Sequence, residues 1–173
     1  MASIEARWER YRKGRVDVNE LADLVHDVGE SPLVNRLPVR FDLLKLLDHQ
    51  DPLVRHNALG ALAYHGLFVD WRDEFGQRLL HAMLSTLTND RDRDCRRQAA
   101  AAFGTFFRDS RDRAVMHSLS QVCLNDAEED DVRGFAYVSL LRVAAVPSRQ
   151  QPNPVGFRIS ASDLERVRDL DQL

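Results

Sequence analysis

One pattern occurs three times in this chain and restricts its fold more than any other feature. Val54-Arg55-His56-Asn57-Ala58-Leu59-Gly60-Ala61-Leu62, Cys95-Arg96-Arg97-Gln98-Ala99-Ala100-Ala101-Ala102-Phe103 and Val132-Arg133-Gly134-Phe135-Ala136-Tyr137-Val138-Ser139-Leu140 align without gaps, at offsets of 41 and 37 residues. Each copy runs apolar residue, Arg, Ala three positions on, then a large apolar residue four positions after the Ala. Positions i, i+4 and i+8 lie along one face of a helix, and the small Ala in the middle lets a neighbouring helix approach closely. Self-similarity at such a period means that each copy is one unit, which buries its apolar face by stacking on the next.

A second amphipathic stretch precedes every copy. These stretches are Phe41 to Leu47, Trp71 to Leu87 (Trp71, Phe75, Leu79, Ala82, Met83, Leu87) and Ala114 to Leu124 (Val115, Met116, Leu119, Val122, Cys123). Between the two helices of each pair comes a short acidic turn: Asp48-His49-Gln50-Asp51-Pro52, Asn89-Asp90-Arg91-Asp92 and Asn125-Asp126-Ala127-Glu128-Glu129. Acidic side chains there cap the following helix and favour its positive end, and Pro52 suits a first helical turn.

An acidic turn followed by Val-Arg-x-x-Ala-x-x-x-Leu, at a period near 40, resembles the HEAT repeat, over about residues 38–145. The resemblance implies an all-α solenoid of stacked antiparallel helix pairs. It also implies a structural role for Arg55, Arg96 and Arg133, as a ladder between turns. The family often pairs a turn Asp with the Arg six residues later. Asp90 and Arg96 match that spacing, whereas Asp48 to Arg55 and Asp126 to Arg133 are one residue longer, so the ladder is expected to be irregular.

The flanks are less regular, and the chain divides into a helical cap or degenerate repeat at 1–37, three repeats at 38–145, and a linker with a final helix at 146–173. Residues 3–13 and 19–28 read as two helices, as solenoid ends need atypical caps over the exposed core. Pro147, Pro152 and Pro154 interrupt the helical pattern. After them, Ser162-Asp163-Leu164-Glu165 has capping-box spacing and opens a helix with Leu164, Val167 and Leu170, which either docks as the C-terminal cap or stays detached.

Composition removes several classes of function. The net charge is −3, and acidic and basic residues interleave, as in Arg108-Asp109-Ser110-Arg111-Asp112-Arg113. Such alternation gives no uniform basic field for a phosphate backbone, so nucleic acid is not the expected partner. No stretch approaches the roughly 18 apolar residues of a membrane span, and no signal-like segment follows Met1; a cytoplasmic location is expected. Only two of the 24 basic residues are lysines, a bias that points to a GC-rich bacterial genome. Cys95 and Cys123 sit inside helical patterns and read as reduced core thiols.

HEAT-like scaffolds also include enzymes, each of which needs particular residues. Deoxyhypusine hydroxylases hold iron with His-Glu pairs, and none of His26, His49, His56, His65, His81 or His117 precedes a Glu. HEAT-like DNA glycosylases use Trp, Asp and Arg in a basic groove. Asp70, Trp71 and Arg72 are adjacent here, but they sit at a helix start in an acidic chain. No zinc spacing, phosphate loop or nucleophile elbow is present, so no catalytic residue, metal or cofactor is assigned. Trp71 reads as core with Phe75 and Leu79, and Trp8, which shares a face with Ile4 and Tyr11, as either core or contact.

The expected function is therefore a binding scaffold with a protein partner. In the HEAT architecture the second helix of each pair lines the concave side, which implies columns of outward residues: His56, Arg97 and Gly134; Asn57, Gln98 and Phe135; Tyr64, Thr105 and Arg142. From these, His56, Asn57, Tyr64, Arg97, Gln98, Phe135 and Arg142 are the candidate partner-binding residues, because Arg, Tyr and Phe among polar neighbours is hot-spot composition. Small bacterial HEAT-like proteins include immunity proteins that block a toxin, a narrower form of the same expectation. The rival class is an enzyme or enzyme auxiliary, resembling either the DNA glycosylases or the HEAT-like bilin lyases.

Overall fold

A computed structural model describes residues 2–64 and 69–172, apart from the Tyr64 side chain. The described residues are all-helical and contain no strand. Nine α-helices follow in order: α1 Ile4–Arg12, α2 Val18–Gly29, α3 Leu37–Leu46, α4 Pro52–Tyr64, α5 Glu74–Asn89, α6 Arg93–Phe106, α7 Arg113–Leu124, α8 Asp130–Val143 and α9 Ala161–Asp171. They form two compact units, Met1–Ala82 and Met83–Leu173. The division falls inside α5, where the three-part reading of the sequence has no boundary.

Helix starts are set by local chemistry. Ser3, Asp17, Asp92 and Asp112 each accept a main-chain N–H from the first turn of the helix they precede, satisfying a donor that has no partner within the helix. The last helix begins differently from the expected Ser162–Glu165 box. Ser160 is the N-cap: its hydroxyl accepts from Asp163 N (3.3 Å), while the Asp163 carboxylate accepts from Ser160 N (3.0 Å). The box thus lies two residues earlier, with the shorter Asp in the third helical position. Trp71, expected to begin the α5 stripe, stands in the turn before that helix.

In the first unit α2 packs against α1 and α4, and α3 packs against α4. Leu24, Val25, Val28, Leu43, Val54, Ala58, Leu59 and Leu62 fill its core. Trp8 is 1% exposed, which places it in the core, and its ring lies 4.8 Å from that of Tyr11. In the second unit α8 packs against both α6 and α7, and α9 packs on α7 with Val167 fully buried. The α6–α8 approach depends on Gly104: a Cβ there would lie 2.5 Å from Ser139 Oγ and 2.9 Å from Ser139 Cβ.

Ala58, Ala99 and Ala136, the small residues of the three copies, are all 0% exposed, and Val54, Cys95 and Val132 before them are equally buried. Both thiols are therefore core side chains, and burial pushes Cys123 up to about 12. No helix among the described residues is long and apolar enough to cross a membrane.

Candidate functional site

The three repeated arginines come first, because they decide which neighbouring side chains remain outward. Each follows the first apolar residue of its copy and turns back onto the preceding turn. Arg55 donates to the carbonyls of His49 (2.8 Å) and Gln50 (2.9 Å), and Arg96 to that of Asp90 (2.7 Å). Arg133 donates to the carbonyl of Cys123 (3.0 Å) and to the Asp126 carboxylate (3.2 Å). The longer Asp126–Arg133 spacing therefore still closes. In each case a guanidinium satisfies carbonyls left open where the previous helix ends.

Arg96 also crosses to the next acidic turn. Its Nε and Nη2 bind both oxygens of Glu128 (2.9 and 2.8 Å), and Nη2 meets Glu129 at 2.5 Å. The Arg96 and Glu128 side chains are 13% and 10% exposed, so this fork is shielded from water. Glu129's carboxyl is held down to about 2, first by its hydrogen bond to Glu128, then by a main-chain N–H, with Arg96 adding to both. The link joins the α5–α6 turn to the α7–α8 turn.

The candidate partner-binding residues fall on two units. On α4, His56 is half-buried, and Asn57 donates its amide to the carbonyl of Ala22 (2.9 Å), which ties α4 to α2. Asn57 is thus engaged within the fold. The Tyr64 side chain lies outside the described residues. On α6 and α8 the half-buried residues Arg97, Gln98, Phe135 and Arg142 remain. The Arg97 guanidinium sits 5.6 Å from the centre of the Phe135 ring and reaches Asp94 (3.2 Å) and Asp131 (3.5 Å). A cation over an aromatic face, held by flanking carboxylates, is a preformed amphipathic patch.

Two placements differ from the expected columns. Arg97 meets Phe135, one residue after Gly134, and Asp131, three residues before it. Gly134 itself is buried under the C-terminal segment, since a Cβ there would lie 2.8 Å from the Phe157 carbonyl. Phe157 stacks on Tyr137 at 5.5 Å with the rings 6° from parallel, and the Tyr137 hydroxyl donates to Asp163 (2.8 Å). Burial, then that bond, pushes Tyr137 up to about 12. Residues 154–157 thus cover a face of α8 that the sequence leaves open.

The residue that sequence reading missed is Asp131, which draws in both Arg93 (3.6 Å) and Arg97 (3.5 Å). Asp131 carries a faint signal, as an acidic residue in the first turn of α8, but that position reads equally well as a response to the helix dipole. Elsewhere a cavity of about 110 Å³ in the first unit is lined by Trp8, Leu33, Val39 and the charged Glu5, Glu9, Arg12 and Arg36. Among the described residues no group of three or more His, Cys, Asp or Glu could hold a metal ion. Comparison with protein-family models, curated proteins and solved structures finds no match to this chain.

Proposed function

We propose that the chain is a HEAT-like helical-repeat protein acting as a non-catalytic protein-interaction module, with the outward surface of α6 and α8 as its binding face. The repeat reading is supported by the same two events in every copy: a fully buried Ala, and an Arg folded back onto main-chain carbonyls in the preceding turn or, for Arg133, in the last turn of the preceding helix. The choice of face rests on one observation above the others, the half-buried Arg97–Phe135 pair. Its Arg is fixed by two carboxylates before any partner arrives, so little side-chain freedom is lost on binding. Gln98 adds an adaptable amide beside it.

Affinity capture from the native source with the full chain tests this reading. One protein recovered at stoichiometric amounts, and lost when Arg97→Glu and Phe135→Ser are combined, is the expected result. No stoichiometric protein, or recovery unchanged by the double substitution, counts against it.

A further inference from the structure

Residues 151–160 lie on α8 without being built into the core, and none of them is buried. Among the described residues their main-chain hydrogen bonds stay local: Gln151 N to the Ser148 carbonyl (3.1 Å), Val155 N to the Asn153 side chain (3.0 Å), Phe157 N to the Pro154 carbonyl (3.3 Å) and Ser160 N to Asp163 (3.0 Å). Gly156, with φ 74°, lets the chain turn between Pro154 and Phe157. A segment with few buried apolar atoms and no main-chain bond to the helix beneath it opens at low cost. Its two ends are fixed independently, since α8 packs on α6 and α7, and α9 packs on α7 with Val167 fully buried.

What this segment touches is one stripe of α8. Asp130, Gly134 and Tyr137 are spaced i, i+4 and i+7, so they share a face of the helix. Consecutive residues Phe157 and Arg158 meet all three. Arg158 reaches Asp130 (3.6 Å), the Phe157 carbonyl lies 2.8 Å from where a Gly134 Cβ would stand, and the Phe157 ring stacks on Tyr137 at 5.5 Å. The three atoms nearest such a Cβ all belong to Phe157 and Pro154, so the glycine makes room for this segment in particular. Tyr137, at 1% exposed, is buried beneath a segment that is not. The stripe adjoins the Arg97–Phe135 patch, because Asp131 follows Asp130 and Phe135 follows Gly134.

We propose that the Asp130–Gly134–Tyr137 stripe is a docking site for a peptide segment in which an aromatic residue precedes a basic one, and that residues 154–158 are its internal occupant, displaced when a partner presents such a segment. That the displacing segment belongs to a protein partner rests on the interaction-module reading. The chemistry follows from the stripe: a flat ring to stack on Tyr137, a main chain close over Gly134, and a cation opposite Asp130. The Arg158 and Asp130 side chains are 85% and 61% exposed, so this pair selects charge more than it adds strength. Tethering holds the internal occupant at an effective concentration on the order of millimolar. An outside segment therefore wins by adding contacts, and the neighbouring Arg97–Phe135 patch supplies them.

The test is a titration of the ¹⁵N-labelled full chain carrying Phe157→Ala with a capped peptide of residues 151–160, following the main-chain resonances of Asp130, Gly134 and Tyr137. Saturable shifts at these positions are expected, with affinity roughly tenfold weaker in the parent chain, where the tethered ring competes. Adding Gly134→Ala should abolish the response without changing the far-UV spectrum, and replacing the peptide's phenylalanine by alanine should abolish it too. Phe157→Ala alone should keep a single cooperative melt, because the segment lies outside the core. No saturable shift, equal affinity in variant and parent, binding that survives Gly134→Ala or ignores the peptide's aromatic residue, or loss of the cooperative melt in Phe157→Ala overturns the proposal. A parent chain that sediments as a dimer and becomes monomeric in Phe157→Ala also overturns it, by making a second copy the occupant. A successful titration without a captured partner removes the interaction module and leaves the site, and a captured partner with a failed titration removes only the site.

Discussion

Replacing Arg96 by Met keeps the apolar stem and deletes the guanidinium that joins two acidic turns. In the parent chain that group makes a two-pronged contact with Glu128 at 2.9 and 2.8 Å, a contact with Glu129 at 2.5 Å and a bond to the Asp90 carbonyl at 2.7 Å. Hydrogen bonds to charged groups contribute about 1.5–3 kcal/mol where water is excluded. The Glu129 side chain is 49% exposed, so its share is screened and adds under about 1 kcal/mol. Loss of the fork also leaves Glu128, 10% exposed, without its counter-charge. The total cost is about 3–4 kcal/mol, a large part of the stability of a chain this size. Arg133→Met is the internal control, because its Asp126 partner is 90% exposed and chiefly the Cys123 carbonyl bond is lost, at about 1–2 kcal/mol. Urea unfolding followed by far-UV circular dichroism measures both. Equal costs for Arg96→Met and Arg133→Met, or no coupling between Arg96→Met and Glu128→Gln in a double-mutant cycle, would refute the reasoning.

Further expectations follow from the same geometry. Gly104→Ala places a methyl 2.5 Å from Ser139 Oγ and should lower stability by about 1–3 kcal/mol, read by thermal unfolding. Glu129's folded value of about 2 lies below its ordinary 4.5, so its contribution is complete above pH 4.5 and lost as pH falls toward 2; Glu129→Gln should flatten stability across that window in acid unfolding curves. Tyr137 runs the other way: its folded value of about 12 lies above the ordinary 10, so its contribution is complete below pH 10 and lost as pH rises toward 12, visible as late phenolate absorbance that Asp163→Asn brings earlier. Both thiols, being buried, should resist Ellman's reagent at pH 8 until urea unfolds the chain, with Cys123 further protected by its raised value.

Much of the helical plan was readable from local pattern. Ala58, Ala99 and Ala136 recur where a helix must admit a neighbour, and all three are buried, because a repeated small residue at helical spacing has few other uses. The structural role of Arg55, Arg96 and Arg133 was legible for a similar reason, as the same residue at the same step of each copy. Its targets were not, since the bonds run mainly to main-chain carbonyls that look alike in every sequence. The capping box was misplaced by two residues because Ser160 and Ser162 are both followed, three positions on, by an acidic side chain. At the candidate site, residue types were visible and surroundings were not. Asn57 reads as a surface amide yet ties two helices together, and Gly134 reads as an open position yet lies beneath residues distant in sequence. Arg142 was picked out by type, while the burial that leaves its Nε without an acceptor has no signature in the sequence.

Site-specific photo-crosslinking in the native cell is the sharpest test of the proposal that the α6–α8 surface holds a protein partner. A benzophenone side chain at Gln98, next to the Arg97–Phe135 pair, should yield one discrete crosslinked protein, and the same group at exposed Gln121 on α7 should yield none. Equal adducts from both positions, or none from Gln98, would contradict it.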